Sequence, residues 1–299
     1  MLDYQLIDSG HQQRLERWGD VVVIRPDPAA RWNPQLPPTS WQSAQANYVS
    51  SQGKIGSGHW QFTSGSEFLA TQGLQISGQL QAQFKPLCFQ LKFMPSKHLG
   101  LFPEHEPQWQ ALQKIIMAAS QPISVLKLFA YTGGASLACA QAGATITHVD
   151  SSYEAIGLAR TSQQLSGLAT APIRWIKEDV VKFVHREVRR GKQYAGIILD
   201  PPAYGHGTHG ETWQTKRDLY PLLQTIIQLL SPTALFLLLN TYTSGVDLDF
   251  LPRYTQQLAN HLPYHHHGQL SLSAITPHSH SLTTGNYDFW LRTMSSLPL

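Results

Sequence analysis

The sequence predicts an α/β protein: a mostly parallel sheet of about seven strands, helices on both of its faces, and a small β-rich domain ahead of it. Three observations predict it. From about residue 121 onward, short apolar runs alternate with segments of helical periodicity. Four of those runs lead into a glycine pair, a carboxylate or a proline pair, the residue types expected where parallel strands present their ends to a ligand. Earlier in the chain, β-like runs such as Val21 to Ile24 are separated by stretches rich in turn formers, Pro28 to Pro38 and Ser50 to Gly58. We therefore expect a β-rich domain over residues 1–94 and the parallel-sheet domain over residues 95–299.

The elements can be read in order. Phe89 to Phe93 alternates apolar and polar residues at period two and reads as a half-buried strand of the first domain. Val125 to Phe129 reads as the first strand of the large sheet, followed by Tyr131-Thr132-Gly133-Gly134 and an alanine-rich helix, Ala135 to Ala142, with Gly143 as its C-cap. Thr145 to Val149 is a second strand that ends on Asp150. Ser151 and Glu154 have capping-box spacing and open a helix with Ala155, Ile156 and Ala159 on one face. Ile173 to Ile176 leads to Glu178-Asp179 and to a helix that turns Val180, Phe183, Val184 and Val188 inward. Ala195 to Leu199 runs into Asp200-Pro201-Pro202. A long helix with Leu219, Leu222, Leu223, Ile226 and Leu230 precedes the strand Ala234 to Leu239, and Gln269 to Ser273 with Phe289 to Arg292 supplies a closing pair. The order is that of a Rossmann-like sheet.

Composition narrows the function classes. Of 299 residues, 42% are apolar and 14% charged, enough to bury a sizeable core. No apolar run approaches the ~20 residues of a bilayer span, and Met1 to Gly10 lacks a secretory pattern, so a cytoplasmic protein without membrane contact is expected. Cys88 and Cys139 are the only cysteines, too few for a disulfide framework or a CxxC metal site. The formal charge of +3 permits RNA binding without requiring it. Of the 14 histidines, His265, His266 and His267 are adjacent, so only the first and third can share a face of a strand. A solvated or partner-facing loop is expected there in preference to a metal site.

Four strand ends carry the residues a nucleoside-bearing cofactor needs. Phe129, Tyr131, Thr132, Gly133 and Gly134 form the first, where paired glycines allow a sharp turn and close approach of the backbone, and the helix start offers free N–H groups to a carboxylate. The third glycine of GxGxxG is missing, which disfavours a dinucleotide. Asp150, 16 residues after Gly134 and followed by Ser151, can accept both ribose hydroxyls. Glu178 or Asp179 can accept an adenine amino group, and Asp179 also suits the N-cap. In the fourth, Pro201 and Pro202 stiffen the backbone behind Asp200, which can accept from a substrate N–H, while Tyr204 can stack on a flat base.

Together the segments Phe129 to Ser136, Asp150, Glu178-Asp179 and Asp200 to Gly205, with the lead-in Lys97 to Glu104, resemble the bacterial large-subunit ribosomal RNA methyltransferases, the cytosine-C5 and guanine-N7 group. The likeness runs over about residues 95 to 292. It implies S-adenosyl-L-methionine as cofactor, a pocket lined by Phe129, Tyr131, Gly133, Asp150, Asp179 and Asp200, and ribosomal RNA as partner. One departure matters most. Relatives that make 5-methylcytosine carry a nucleophilic cysteine after the fifth strand, where this chain has Asn240-Thr241-Tyr242-Thr243-Ser244-Gly245. In addition, Glu106 stands near an arginine of some relatives, and the N-terminal domain is shorter than their RNA-binding region. The expectation is methylation of a base nitrogen without thiol chemistry. An RNA enzyme should then show a continuous positive surface from Arg174, Lys177, Lys182, Arg186, Arg189 and Arg190 to the pocket mouth. A small-molecule or protein methyltransferase, and a non-catalytic binding platform, stay open as alternatives.

Overall fold

The computed structural model describes residues 3–51, 57–65, 80–207, 210–242, 250–276 and 279–293. These residues divide into two compact units. The first holds the chain up to Glu106 together with Thr161–Gly167 and Ser271–Thr284; the second holds Pro107–Arg160, Leu168–Leu270 and the chain from Gly285.

In the first unit, β1 (Tyr4–Gly10), β2 (Gln13–Trp18), β3 (Val21–Pro26), β4 (Ala46–Ser50) and β5 (Gly58–Phe62) form a five-stranded sheet in that order, and α1 (Pro38–Gln42) lies between β3 and β4. Only the β3–β4 step is parallel. A buried ion network closes one face of it. Glu16 on β2 accepts from Arg25 of β3 (Nε to Oε2 2.5 Å, NH2 to Oε1 2.8 Å), from Tyr4 (2.7 Å) and lies 3.4 Å from Arg14. Those cations hold the Glu16 carboxyl at about 2 although burial alone would raise it. A second sheet of two strands pairs β6 (Gln81–Phe84) with β7 (Leu87–Gln90). Here the sequence reading needs correction: the strand lies over Leu87–Gln90, fully buried, and not over Phe89 to Phe93. Beyond Leu91 the backbone leaves the ladder, because Lys92 and Met94 donate to Leu99 and His98 carbonyls instead.

The second unit carries α2 (Glu106–Met117), which begins at the last residue of the first unit, and the seven-stranded sheet. Its strands are β8 (Ser124–Leu128), β9 (Thr145–Asp150), β10 (Ile173–Lys177), β11 (Gly196–Leu199), β14 (Phe236–Thr241), β15 (Tyr264–Leu272) and β16 (Leu282–Leu291), in the order β10-β9-β8-β11-β14-β16-β15. Five are parallel, and β16 runs antiparallel to β14. The helices are α3 (Gly134–Gln141), α4 (Tyr153–Leu165), α5 (Val180–Arg189), α6 (Thr215–Ile226) and α7 (Leu251–Leu258), with a short hairpin, β12 (Tyr204–His206) and β13 (Thr212–Gln214), before α6. Leu126, Leu128, Leu199 and Leu237 pack with apolar residues of α5, α6 and α7. Between them Lys127 and His148, register partners on β8 and β9, point the other way, where Ser136 of α3 bonds His148 (3.0 Å). Both faces are covered, which explains why strands such as β11 and β14 are buried at every position.

Helix ends follow the expected chemistry with one change. Gly143 adopts φ +98°, and the Ala144 N–H reaches back to the Cys139 carbonyl, the bond that closes a Schellman turn. The helix after β9 is capped by Ser152, whose hydroxyl accepts the Ala155 N–H (3.1 Å), and not by Ser151. Asp150 takes the Ser152 N–H (2.8 Å), and that turn moves the cap along by one residue.

Candidate active site

The chain begins this sheet at β8, moves outward through β9 and β10, then crosses back to β11 and outward again to β14. The strand order therefore reverses between β8 and β11. In an open α/β sheet the loops there diverge and leave a crevice beyond the strand ends. The loop after β8 and the Asp200-Pro201-Pro202 segment after β11 flank that point.

The first loop is held in an uncommon shape. Phe129 (φ +50°), Tyr131 (φ +51°) and Gly133 (φ +90°) all lie in the left-handed region. Side-chain-bearing residues there cost of order 1–3 kcal/mol each, and such strain gathers at ligand sites. It is fixed by the Ala130 N–H on the Val149 carbonyl (3.0 Å) and by the Tyr131 N–H on Asp150 Oδ2 (2.7 Å). Thr132 is buried in this turn, and Gly134 begins α3 with its α-carbon against Trp109 of α2. A Cβ at residue 134 would meet the Trp109 ring at 2.6 Å. Gly134→Ala is accordingly expected to destabilise the unliganded protein by about 1–3 kcal/mol through overpacking. Thermal denaturation checks it, and an unchanged Tm would show that Trp109 gives way.

Asp150 Oδ2 accepts from the Tyr131 N–H and its Oδ1 from the Ser152 N–H, and the Ser151 N–H also acts on this carboxylate. Burial raises the pKa of this carboxyl, and the Ser152 and Tyr131 N–H groups with the Lys127 charge oppose the rise. The consequence has a sign. A carboxyl raised above its ordinary value of about 3.9 takes up its proton early as the pH falls, and the neutral acid is the poorer acceptor. Affinity for a ribose-bearing ligand should be full at neutral pH and decline on the acid side, with a midpoint above the ordinary aspartate value; titration calorimetry across that range checks it, and a flat profile would contradict it.

Beyond the end of β10 the two acidic neighbours diverge. Glu178 pairs with Arg186 of α5 through both carboxylate oxygens. Asp179 caps α5 by accepting the Lys182 N–H (3.0 Å), and its Oδ2 lies against Gly207, where a Cβ would approach to 3.0 Å. Ser151 donates to the His206 carbonyl (3.2 Å). The hairpin that follows the proline pair thus reaches back over the ends of β9 and β10.

At the fourth strand end, Pro201 is buried and Pro202 exposed, and the Pro202 carbonyl accepts from Thr215 Oγ1 (2.6 Å) and Trp213 Nε1 (2.8 Å). Trp213 also packs on Phe129 (ring centroids 4.8 Å), tying the two flanks of the crevice together. Asp200 keeps 12% of its side chain exposed and lies 3.7 Å from the buried ammonium of Lys127. Tyr204 is half exposed and meets His206 edge to face at 5.1 Å. The structure therefore gathers Phe129, Tyr131, Thr132, Gly133, Gly134, Asp150, Ser151, Asp179, Asp200, Pro201, Pro202 and Tyr204 about the strand ends, with Glu178 turned toward Arg186. Sequence reasoning missed Trp213, Thr215 and the placement of Lys127 beside Asp200. A lysine inside an otherwise apolar strand was a readable signal; the tryptophan gave none.

Other expectations fell elsewhere. Of the six cations expected on a positive surface, Arg186 pairs with Glu178, Lys182 with Glu211, and both Arg174 (3.8 Å) and Arg190 (3.3 Å) with Glu187. The three histidines lie on strand β15 and not in a loop. His265 Nε2 (2.9 Å) and His267 Nδ1 (3.1 Å) share Asp288 Oδ1, and His266 stacks on Tyr287. Thr243 to Gly245 lie outside the described residues. Among the described residues, no helix is long and apolar enough to cross a membrane, and no group of three or more metal-ligating side chains is found.

Comparison with known proteins decides the class of chemistry. The profile of the S-adenosylmethionine-dependent methyltransferase family matches residues 31–270. The chain belongs to that family. A solved S-adenosylmethionine-dependent methyltransferase from Agrobacterium tumefaciens is similar over 97% of this chain and 91% of its own, with 36% identity and a TM-score of 0.86. Ribosomal RNA large subunit methyltransferase K/L of Shewanella frigidimarina (strain NCIMB 400) is 32% identical over 48% of this chain and 20% of its own length. Ribosomal RNA large subunit methyltransferase I of Klebsiella pneumoniae (strain 342) is 30% identical over 38% of this chain and 28% of its own. This methyltransferase thus spans between a fifth and under a third of the length of these curated relatives. It is an enzyme, its cofactor is S-adenosyl-L-methionine, and its fold is the Rossmann-like sheet the sequence predicted.

Proposed function

We propose that this methyltransferase acts on a nitrogen of a ribosomal RNA base, and that it does so without a cysteine nucleophile. The observation that carries the reading is the state of its two thiols. Cys139 is fully buried in α3, where burial pushes its thiol up to about 12, and Cys88 is buried in β7 with its thiol also raised. A C5-directed mechanism needs a thiolate at the acceptor, and neither group can supply one at neutral pH. A ring or exocyclic nitrogen offers its own lone pair and asks for orientation.

The residues fit the cofactor: the strained loop offers backbone N–H groups at the start of α3, and Asp150 sets an acceptor carboxylate at the end of β9 beside that loop. When bound, S-adenosyl-L-methionine supplies an electrophilic methyl on sulfur. Asp150 and Ser151 would hold its ribose. Asp179 would accept from adenine, since Glu178 is engaged by Arg186, and Phe129 with Tyr131 to Gly134 would hold the amino-acid end. On the acceptor side, Asp200 would accept an N–H of the base, the Pro201-Pro202 backbone would fix its position, and Tyr204 would stack on the ring after the base leaves its helix. Holding both reactants in line is the larger part of such catalysis.

Two experiments test the reading. Replacing both cysteines by alanine should leave turnover per folded molecule close to that of the parent, and abolished turnover in a folded double variant would bring thiol chemistry back. Ribosomal RNA from cells lacking the protein should accept labelled methyl from the cofactor in vitro. Nucleoside mass spectrometry should then place that methyl on a base nitrogen; a label on carbon, or none with RNA but turnover with a small molecule or protein, would contradict it.

A further inference from the structure

Lys127 stands out from its strand. It is 4% exposed on β8, flanked by Leu126 and Leu128, and its ammonium faces charged and titratable groups on three elements: Asp200 after β11 at 3.7 Å, Asp150 and His148 on β9, and Cys139 on α3. Its hydrogen bonds go to the Leu128 (3.2 Å) and Phe129 (3.4 Å) carbonyls, the start of the strained loop. A buried ammonium is costly unless paired, so a strand that could have carried leucine holds lysine against a penalty. We infer that Lys127 is a positioning residue for methyl transfer: from beneath the crevice it holds the Asp200 side chain aimed at the acceptor, and through the Phe129 carbonyl it ties that carboxylate to the loop that receives the cofactor. The inference rests on the acceptor role proposed for Asp200.

The charges agree with it. Burial lowers the Lys127 pKa, and Asp200 first, then Asp150, act to restore it. The same ammonium lies 3.7 Å from the Asp200 carboxylate. It sums with Asp150 and Asp200 to a net charge of −1 under the crevice, which suits a cationic donor.

The test uses Asp200→Asn, a change near the surface that keeps the shape of the side chain, in protein labelled with 13C at lysine Cε. The Lys127 amine should titrate about one pH unit or more lower in this variant than in the parent, the shift expected when an opposite charge within ~4–6 Å is lost. Lys127→Met should lower kcat about tenfold at nearly unchanged KM for the cofactor, and adding it to Asp200→Asn should cost little beyond Asp200→Asn alone, as for directly coupled charges. An unmoved Lys127 midpoint, or losses that simply multiply in the double variant, would overturn the inference. Full turnover in Asp200→Asn alone would remove the acceptor role of Asp200, and the positioning role with it, even where the midpoint moves.

Discussion

Asp200→Ala is expected to lower kcat about 100-fold while cofactor affinity stays close to that of the parent, because the role proposed for the lost group is to orient the acceptor and not to hold the donor. Its place supports that split. Asp200 follows β11 on the far side of the switch point from the loop after β8, and among the described contacts its nearest charge is Lys127. The alanine variant should also remain folded. Losing the carboxylate strands a buried ammonium, but burial already lowers the pKa of that amine, so it can shed its proton instead of leaving an uncompensated charge. Steady-state kinetics with calorimetry of the donor separate the outcomes. A large loss of donor affinity with little change in kcat would make Asp200 a cofactor residue.

Asp150→Ala should have the converse signature. The carboxylate binds the Tyr131 and Ser152 N–H groups, so it shapes the strained loop, and in the role proposed above it also accepts from the ribose. Removing charge-assisted bonds of this kind costs about 1–3 kcal/mol, or about 5-fold to 150-fold in donor affinity. Asp150→Asn should recover part of the loss, since an amide oxygen can still accept one of the internal bonds. Direct binding measurements decide it; unchanged affinity in Asp150→Ala would take the residue out of the site.

Much of this site was legible because its parts are local. A glycine pair, a strand-ending aspartate and a proline pair each declare themselves within a few residues, and the alternation of strand and helix places them on one sheet edge. What stayed hidden depends on partners far away in sequence. Trp213 is one case: its bonds to Pro202 and its packing on Phe129 exist only once the hairpin folds back over the strand ends. Glu178 and Asp179 look equivalent in the sequence, yet Arg186, two turns along α5, takes the first and leaves the second facing Gly207. The spacing of His265 and His267 correctly put them on one face, but Asp288, the carboxylate they share, arrives from β16. The first unit takes in residues 161–167 and 271–284, which no boundary drawn along the chain can assign to it. Ser162 in the first of those segments accepts the Gln90 N–H (2.9 Å), and Ala274 in the second bridges to Leu6.

The most direct test is a crystal structure with S-adenosylhomocysteine, the product left after methyl transfer. The account predicts the ribose hydroxyls on the two Asp150 oxygens, the purine beside Asp179 under the hairpin, and the sulfur facing Asp200 and Pro201. A nucleoside bound away from the β8–β11 switch point, or a ribose that makes no contact with Asp150, would contradict it.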